Sequence, residues 1–215
     1  MILNLLCENL LTDSNSIFRN AYKNNLVEVY VSGSSAQYIN GTKQVTKPEY
    51  AIDQIEKRYD WCSNCGRSKE EHPWAVYSIK NKNMKINGYY LKLGCCDADL
   101  ECCCYEEFYC CECCLYSWSL QISNDNKTWK TIHKVEKDSE LRRCKEKTFK
   151  FSETYNTKYV RLIQDEACPG EPPCIALNKI ELLGQIDNED VFLFDDQENE
   201  EEDVSIIGHI SKNKV

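Results

Sequence analysis

The chain has 215 residues, 42% of them hydrophobic and 28% charged, with a formal net charge of −9. That is enough for one domain with its own core plus extensions. Eight glycines and five prolines are too few for a collagen-like or low-complexity polymer, no apolar stretch is long enough for a membrane-spanning helix, and the net acidity argues against a nucleic-acid partner, which needs a basic stripe.

Residues 1–25 carry Ile2, Leu3, Leu5, Leu6, Leu10, Ile17, Phe18, Ala21 and Tyr22 at loosely helical spacing, broken at Thr12-Asp13-Ser14 where a second helix can be capped. Two short helices are expected ahead of the main domain. The opening MILNLLCENLL lacks the basic start and small-residue cleavage site of a secretory signal. The expected location is therefore cytoplasmic, with mostly reduced or metal-bound thiols; an extracellular location stays open if the N-terminus is truncated. Asn40-Gly41-Thr42 and Asn126-Lys127-Thr128 fit the glycosylation pattern, which carries no weight without secretion.

From residue 26 the pattern changes to strands. Leu26–Ser32 is β-branched and alternating, 49–57 has room for a short helix, and Trp74–Lys80 and Met84–Leu93 flank the polar turn Asn81-Lys82-Asn83. Leu115–Ser123 puts Tyr116, Trp118, Leu120 and Ile122 on one face and polar residues on the other, the period of a strand packed on a core. Asn124-Asp125-Asn126 is a hairpin-type turn, followed by strands at 128–135, 147–151, 158–164 and 176–185. Many short strands with turns between them predict an all-β, antiparallel sandwich over 26–186. Residues 187–203 hold ten acids and no base, and 204–215 add two lysines, so residues 1–186 carry only −1. Residues 187–215 read as an acidic, disordered tail; the competing reading is an interaction motif around Val191, Phe192, Leu193 and Phe194.

The run from Leu115 to Trp129, LYSWSLQISNDNKTW, resembles the discoidin domain, also called the coagulation factor V/VIII type C domain. That family has a strand, a Ser-x-Asp-Gly/Asn turn and a Trp three residues on. In the family's order, Val29–Ser35 resembles its opening strand with paired serines, Pro73–Ile79 and Ile86–Tyr89 two further strands, Lys158–Leu162 its Tyr-hydrophobic-Arg strand, and Ile175–Gly184 its closing strand. The match covers roughly residues 27–186. The resemblance implies a galactose-binding-like jelly roll of about eight strands and a non-catalytic binding module. It further implies a protein, glycan or phospholipid ligand held by loops at one end of the sandwich, here 37–48, 59–73 and 95–114. The cysteine pair that often ties the family's domain ends together is absent, and 95–114 is a cysteine-rich insertion.

Nine of the fifteen cysteines lie between Cys95 and Cys114, in a window with six acids and no base. A divalent cation would relieve that repulsion, and thiolates suit zinc. The candidate ligands are Cys95, Cys96, Cys102, Cys103, Cys104, Cys110, Cys111, Cys113 and Cys114. Packing of small apolar cysteines and disulfide formation are the competing readings. Cys62-Ser63-Asn64-Cys65 is half a zinc site that His72 or the insertion would complete, or two free thiols in a loop. The turn Pro169–Pro173 is placed to juxtapose Cys168 and Cys174, unless either is simply buried.

Trp74, Trp118 and Trp129 sit in strand patterns and are expected in the core. Trp61, in a polar loop, is the candidate for stacking on a sugar or partner, with Tyr38, Tyr105 and Phe108 of the same kind. Arg161 is expected to have a partner within the sandwich. Of the histidines 72, 133 and 209, none accompanies a nucleophile signature, and no phosphate-cradling glycine loop is present, so no enzyme activity is expected. The first reading is a protein- or glycan-binding module. The alternative is a structural metal-thiolate protein, with zinc the only cofactor considered. Anionic phospholipid is disfavoured by the acidic insertion.

Overall fold

A computed structural model describes residues 15–95 and 113–187. It is an all-β antiparallel sandwich. A short helix, α1 (Ile17–Tyr22), precedes β1 (Val27–Val31), the hairpin β2 (Ala36–Ile39) and β3 (Thr42–Val45), and a 3-10 helix at Pro48–Ile52. The chain continues through β4 (Trp61–Cys62), β5 (Trp74–Ile79), β6 (Met84–Leu93), β7 (Ser117–Ser123), β8 (Lys130–Val135), β9 (Glu146–Thr157), β10 (Tyr159–Glu166) and β11 (Ala176–Ile186). One sheet has the order β1-β5-β10-β7-β8 and the other β4-β11-β6-β9.

The sequence pattern located most of these strands; three were missed. The expected loop 37–48 contains the β2–β3 hairpin, whose tip is Asn40-Gly41 between the paired residues Ile39 and Thr42. Both tip residues have positive φ, as a two-residue hairpin turn requires. β4 is two residues long, too short to show a period. The helix expected in 49–57 is the single 3-10 turn. The first of the two expected N-terminal helices falls on residues outside the described ones.

The core forms between the sheets. Ala75, Tyr77 and Ile79 of β5 and Trp118 and Leu120 of β7 face Ile86, Tyr89 and Leu91 of β6 and Ile180 and Leu182 of β11. Of the three tryptophans expected in this core, Trp118 is fully buried while Trp74 and Trp129 are half-buried and outside the cluster. Arg161 has its expected partners. Its guanidinium lies 4.2 Å over the Trp129 ring, and Nε donates to Gln121 Oε1 at 2.8 Å. Gly184 sits where β11 shifts register against β6. Its φ is +142° and a Cβ there would collide with the Lys85 carbonyl, so a side chain is excluded.

Two buried polar groups tie the layers together. Trp118 Nε1 donates to Tyr89 Oη at 3.0 Å, and Tyr89 Oη lies 2.8 Å from His133 Nδ1. Tyr89 Oη thus links the indole to the imidazole, and whether the hydroxyl or Nδ1 donates follows the His133 tautomer. Burial lowers the His133 pKa, which favours the neutral ring. At the other node, Glu181 is buried on β11 and accepts from the backbone N–H groups of Phe18 (2.7 Å), Arg19 (3.1 Å) and Leu182 (3.0 Å). The N-cap residue Ser16 makes no side-chain cap bond, so Glu181 satisfies the first turn of α1 from a distant strand.

Burial pushes the Glu181 pKa up to about 7, against the pull of those three backbone donors. The native state thus holds a proton that the unfolded chain loses from its ordinary value of 4.5. This group's contribution is complete below 4.5 and is lost as pH rises toward about 7. In urea titrations across that range, Glu181→Gln is expected to flatten the fall in wild-type stability. Parallel curves for the two proteins would refute the assignment.

Candidate functional site

The strand registers gather several connections at one end of the sandwich. Ile163 pairs Trp74, Glu166 pairs Ser117 and Trp118 pairs Val135 in one sheet; Leu177 pairs Leu93, Lys92 pairs Glu146 and Cys62 pairs Ala176 in the other. Segments 63–73, 94–116, 136–145 and 167–175 therefore leave from the same end. The foot of the β2–β3 hairpin is fixed there too: Thr46 Oγ1 donates to the carbonyls of Ser35 (2.9 Å) and Cys62 (3.2 Å).

All eight cysteines among the described residues lie in β4 or these connections. Cys95 is bonded to Cys144 and Cys114 to Cys168, with Cα–Cα distances of 4.6 and 6.2 Å. Cys62 and Cys65 are also disulfide-bonded. Cys62, Cys113, Cys174 and Ala176 form a small buried cluster with Cys65 against it. The two mapped disulfides bracket the insertion. Cys95 anchors its entry to the β8–β9 connection and Cys114 anchors its exit to the β10–β11 connection. In the chain-entropy treatment, loops of about 50 residues closed in this way each stabilise the fold by about 4 kcal/mol.

Asp60 lies at the centre of this end and is fully buried. Its carboxyl oxygens accept from Gln37 Nε2 (3.1 Å), Asn178 Nδ2 (3.0 Å) and the backbone N–H of Cys95 (2.9 Å), and its own N–H donates to Gln37 Oε1 (2.9 Å). One carboxyl thereby joins the hairpin, β11 and the first residue of the insertion. A second acid serves the β8–β9 connection. Asp138 accepts from the N–H groups of Glu140 (2.8 Å) and Leu141 (2.7 Å) and from Lys147 Nζ (3.0 Å). Partial burial raises its pKa, but these donors outweigh it and hold the group below the usual carboxylate range. Arg142 Nη1 donates to Asp138 O (3.2 Å) and lies 2.8 Å from Cys114 Sγ.

The sequence-based site expectations divide sharply. Tyr38 is on β2 with 38% of its surface exposed, as a stacking residue requires. Trp61 is corrected: it has no exposed surface, belongs to the core cluster and donates Nε1 to Ser34 Oγ at 3.0 Å. Its polar neighbours suggested a loop, but β4 pairs it with Leu177 and turns the indole inward. Tyr105 and Phe108 lie outside the described residues, as do Cys96, Cys102, Cys103, Cys104, Cys110 and Cys111. Cys62, Cys65, Cys95 and Cys114 are corrected as metal ligands, because a cystine sulfur has no thiolate to donate. Cys113 is buried in the cluster with Cys62 and Cys174. His72 is exposed, with Nδ1 3.0 Å from the Gln164 carbonyl. Among the described residues, no three His, Cys, Asp or Glu side chains are grouped to hold a metal. Cys168 and Cys174 do not pair across their turn, since Cys168 is bonded to Cys114.

Asp60, Gln37 and Cys144 were missed. Nothing in a polar loop marks one aspartate as buried. Cysteine pairings separated by 49 and 54 residues are not deducible from spacing.

No family model and no curated protein matches the chain. Solved structures do. A family 32 carbohydrate-binding module from a family 31 glycoside hydrolase of Clostridium perfringens aligns with a TM-score of 0.53 at 11% identity, covering 80% of this chain and 97% of that one. The family 32 module of C. perfringens NanJ, solved in complex with galactose, gives 0.51 at 8% identity, covering 79% and 98%. An F5/8 type C domain from Bacteroides fragilis gives 0.51 at 14%, covering 80% and 96%. The chain thus shares the β-sandwich fold of these carbohydrate-binding and F5/8 type C domains.

Substituting Asp60 with alanine strands the Gln37, Asn178 and Cys95 donors in a dry site. The expected cost is about 3 kcal/mol or more in denaturant titrations, with slower formation of the Cys95–Cys144 bond on oxidative refolding. A variant as stable as wild type would show that the node is dispensable.

Proposed function

We propose that the chain is a non-catalytic module that binds a glycan through the loops at its cystine-bearing end. The observation that carries this reading is the convergence of the hairpin and four connections on one end, with the insertion's two stems held by disulfides and by Asp60. Rigid stems reduce the ordering cost that a binding loop otherwise pays on meeting its ligand. The fold shared with carbohydrate-binding modules, one of them solved with galactose, supports a sugar as the ligand class.

The polar groups available also suit a sugar. Tyr38 offers an exposed ring for an apolar sugar face, and Arg67, Glu70, Glu71 and His72 are exposed on the connection after β4, with donors and acceptors for hydroxyls. His133 is paired with Tyr89, and Glu181 holds α1. Neither is placed to act as a general acid or base at the loop end.

The test is to screen the oxidised full chain on an array of neutral and acidic glycans and then titrate any retained sugar calorimetrically. At least one glycan is expected to bind. Tyr38→Ala is expected to weaken it by roughly tenfold, about 1.4 kcal/mol, with an unchanged melting temperature. No glycan retained by the fully oxidised protein would reject the proposal.

A further inference from the structure

We propose that Asn40 and Asn126 are N-glycosylation acceptors and that the domain matures in an oxidising, glycan-transferring compartment. Two independent observations meet here. The first is covalent: six of the eight described cysteines are disulfide-bonded, at positions 62, 65, 95, 114, 144 and 168. Disulfides of this density persist where thiols are not kept reduced. Each forms as two thiols pass two electrons and two protons to a dithiol–disulfide carrier of that compartment.

The second is the placement of the two Asn-x-Thr tripeptides of the chain. Both stand at turns between antiparallel strands. Asn40, Gly41 and Thr42 are all exposed at the β2–β3 tip, and a Cβ built on Gly41 meets nothing within 4 Å, so the tip stands clear of the domain. Asn126, Lys127 and Thr128 are all exposed in the β7–β8 turn. Neither Asn40 nor Asn126 uses its carboxamide in a hydrogen bond within the described residues. Asn178, outside any such tripeptide, is buried and spends its carboxamide on Asp60, Lys57 and Tyr59. The acceptor pattern therefore falls where a bulky, hydrated chain costs no packing and no hydrogen bond.

The transfer balances simply. Asn Nδ2 forms a bond to C1 of the first sugar of a lipid-linked oligosaccharide diphosphate. The C1–oxygen bond to the diphosphate breaks, the lipid diphosphate leaves, and the carboxamide loses one proton. The two acceptors differ in their consequence for binding. Asn126 lies at the end opposite the cystines. Asn40 is two residues from Tyr38 on the same hairpin, so a glycan there restricts approach to that side of the candidate site.

The test uses the full chain purified from the cells that make it. Peptides are mapped by mass spectrometry after alkylation without reduction, with and without peptide N-glycosidase. The expected result is enzyme-dependent conversion of Asn40 and Asn126 to aspartate, with Cys95–Cys144 and Cys114–Cys168 recovered as linked peptides. Thr42→Ala and Thr128→Ala, which keep the turn asparagines, are each expected to abolish one glycan. Unmodified asparagine at both positions overturns the proposal, as do thiols at Cys95, Cys114, Cys144 and Cys168 that alkylate directly. A glycan that survives its threonine substitution overturns the assignment of that site.

Discussion

The carboxyl of Asp60 is the constraint around which the functional end is organised. A fully buried acid is costly unless donors surround it, and here the donors come from three parts of the chain. Gln37 brings the hairpin, Asn178 brings the closing strand, and the backbone N–H of Cys95 brings the start of the insertion. A carboxyl suits this position because its two oxygens accept several bonds at once and donate none when ionised. The bond to Cys95 N has a further effect. It holds the residue whose sulfur is joined to Cys144, so hydrogen bonding and covalent crosslinking fix the same point.

The rest of the sandwich shows a similar economy in its polar groups. Tyr89 spans the layers between Trp118 and His133, and Glu181 reaches from β11 to the backbone of α1. These groups specify how layers meet, a role that an apolar core alone fills loosely. Their engagement also separates the two ends. Asp60 and Glu181 inside are held by hydrogen bonds of the fold, while exposed polar side chains and the ring of Tyr38 stand at the loop end.

Much of this was legible in the sequence, for identifiable reasons. The alternation at Leu115–Ser123 exposed the strand because one face is greasy and the other is not, and Asn126 announced its turn by tolerating positive φ, which it adopts. The Asn40-Gly41 turn signal is equally strong, but its flanking strands are only four residues long and too short to show a period. Trp61 misled because its neighbours in sequence are polar while its neighbours in space are not. The disulfides are hidden in the sequence because cysteines crowded into one segment do not have the spacing of a scaffold. Partners such as Cys144 and Cys168 lie far along the chain, and only the sheet order brings them to the same rim.

The cystines and the acids of the insertion act together on what such an end can hold. Residues 96–112 contain six acids and no base, and they begin and end at stems fixed about the rim. Like charges close in sequence repel one another, and the Cys95–Cys144 and Cys114–Cys168 bonds hold the two stems in place against that repulsion. Under the proposed glycan-binding reading, that acidity counts against an anionic head group or an acidic polymer, since like charges repel. On the same reading an uncharged glycan is favoured by the exclusion of competitors more than by attraction of the ligand.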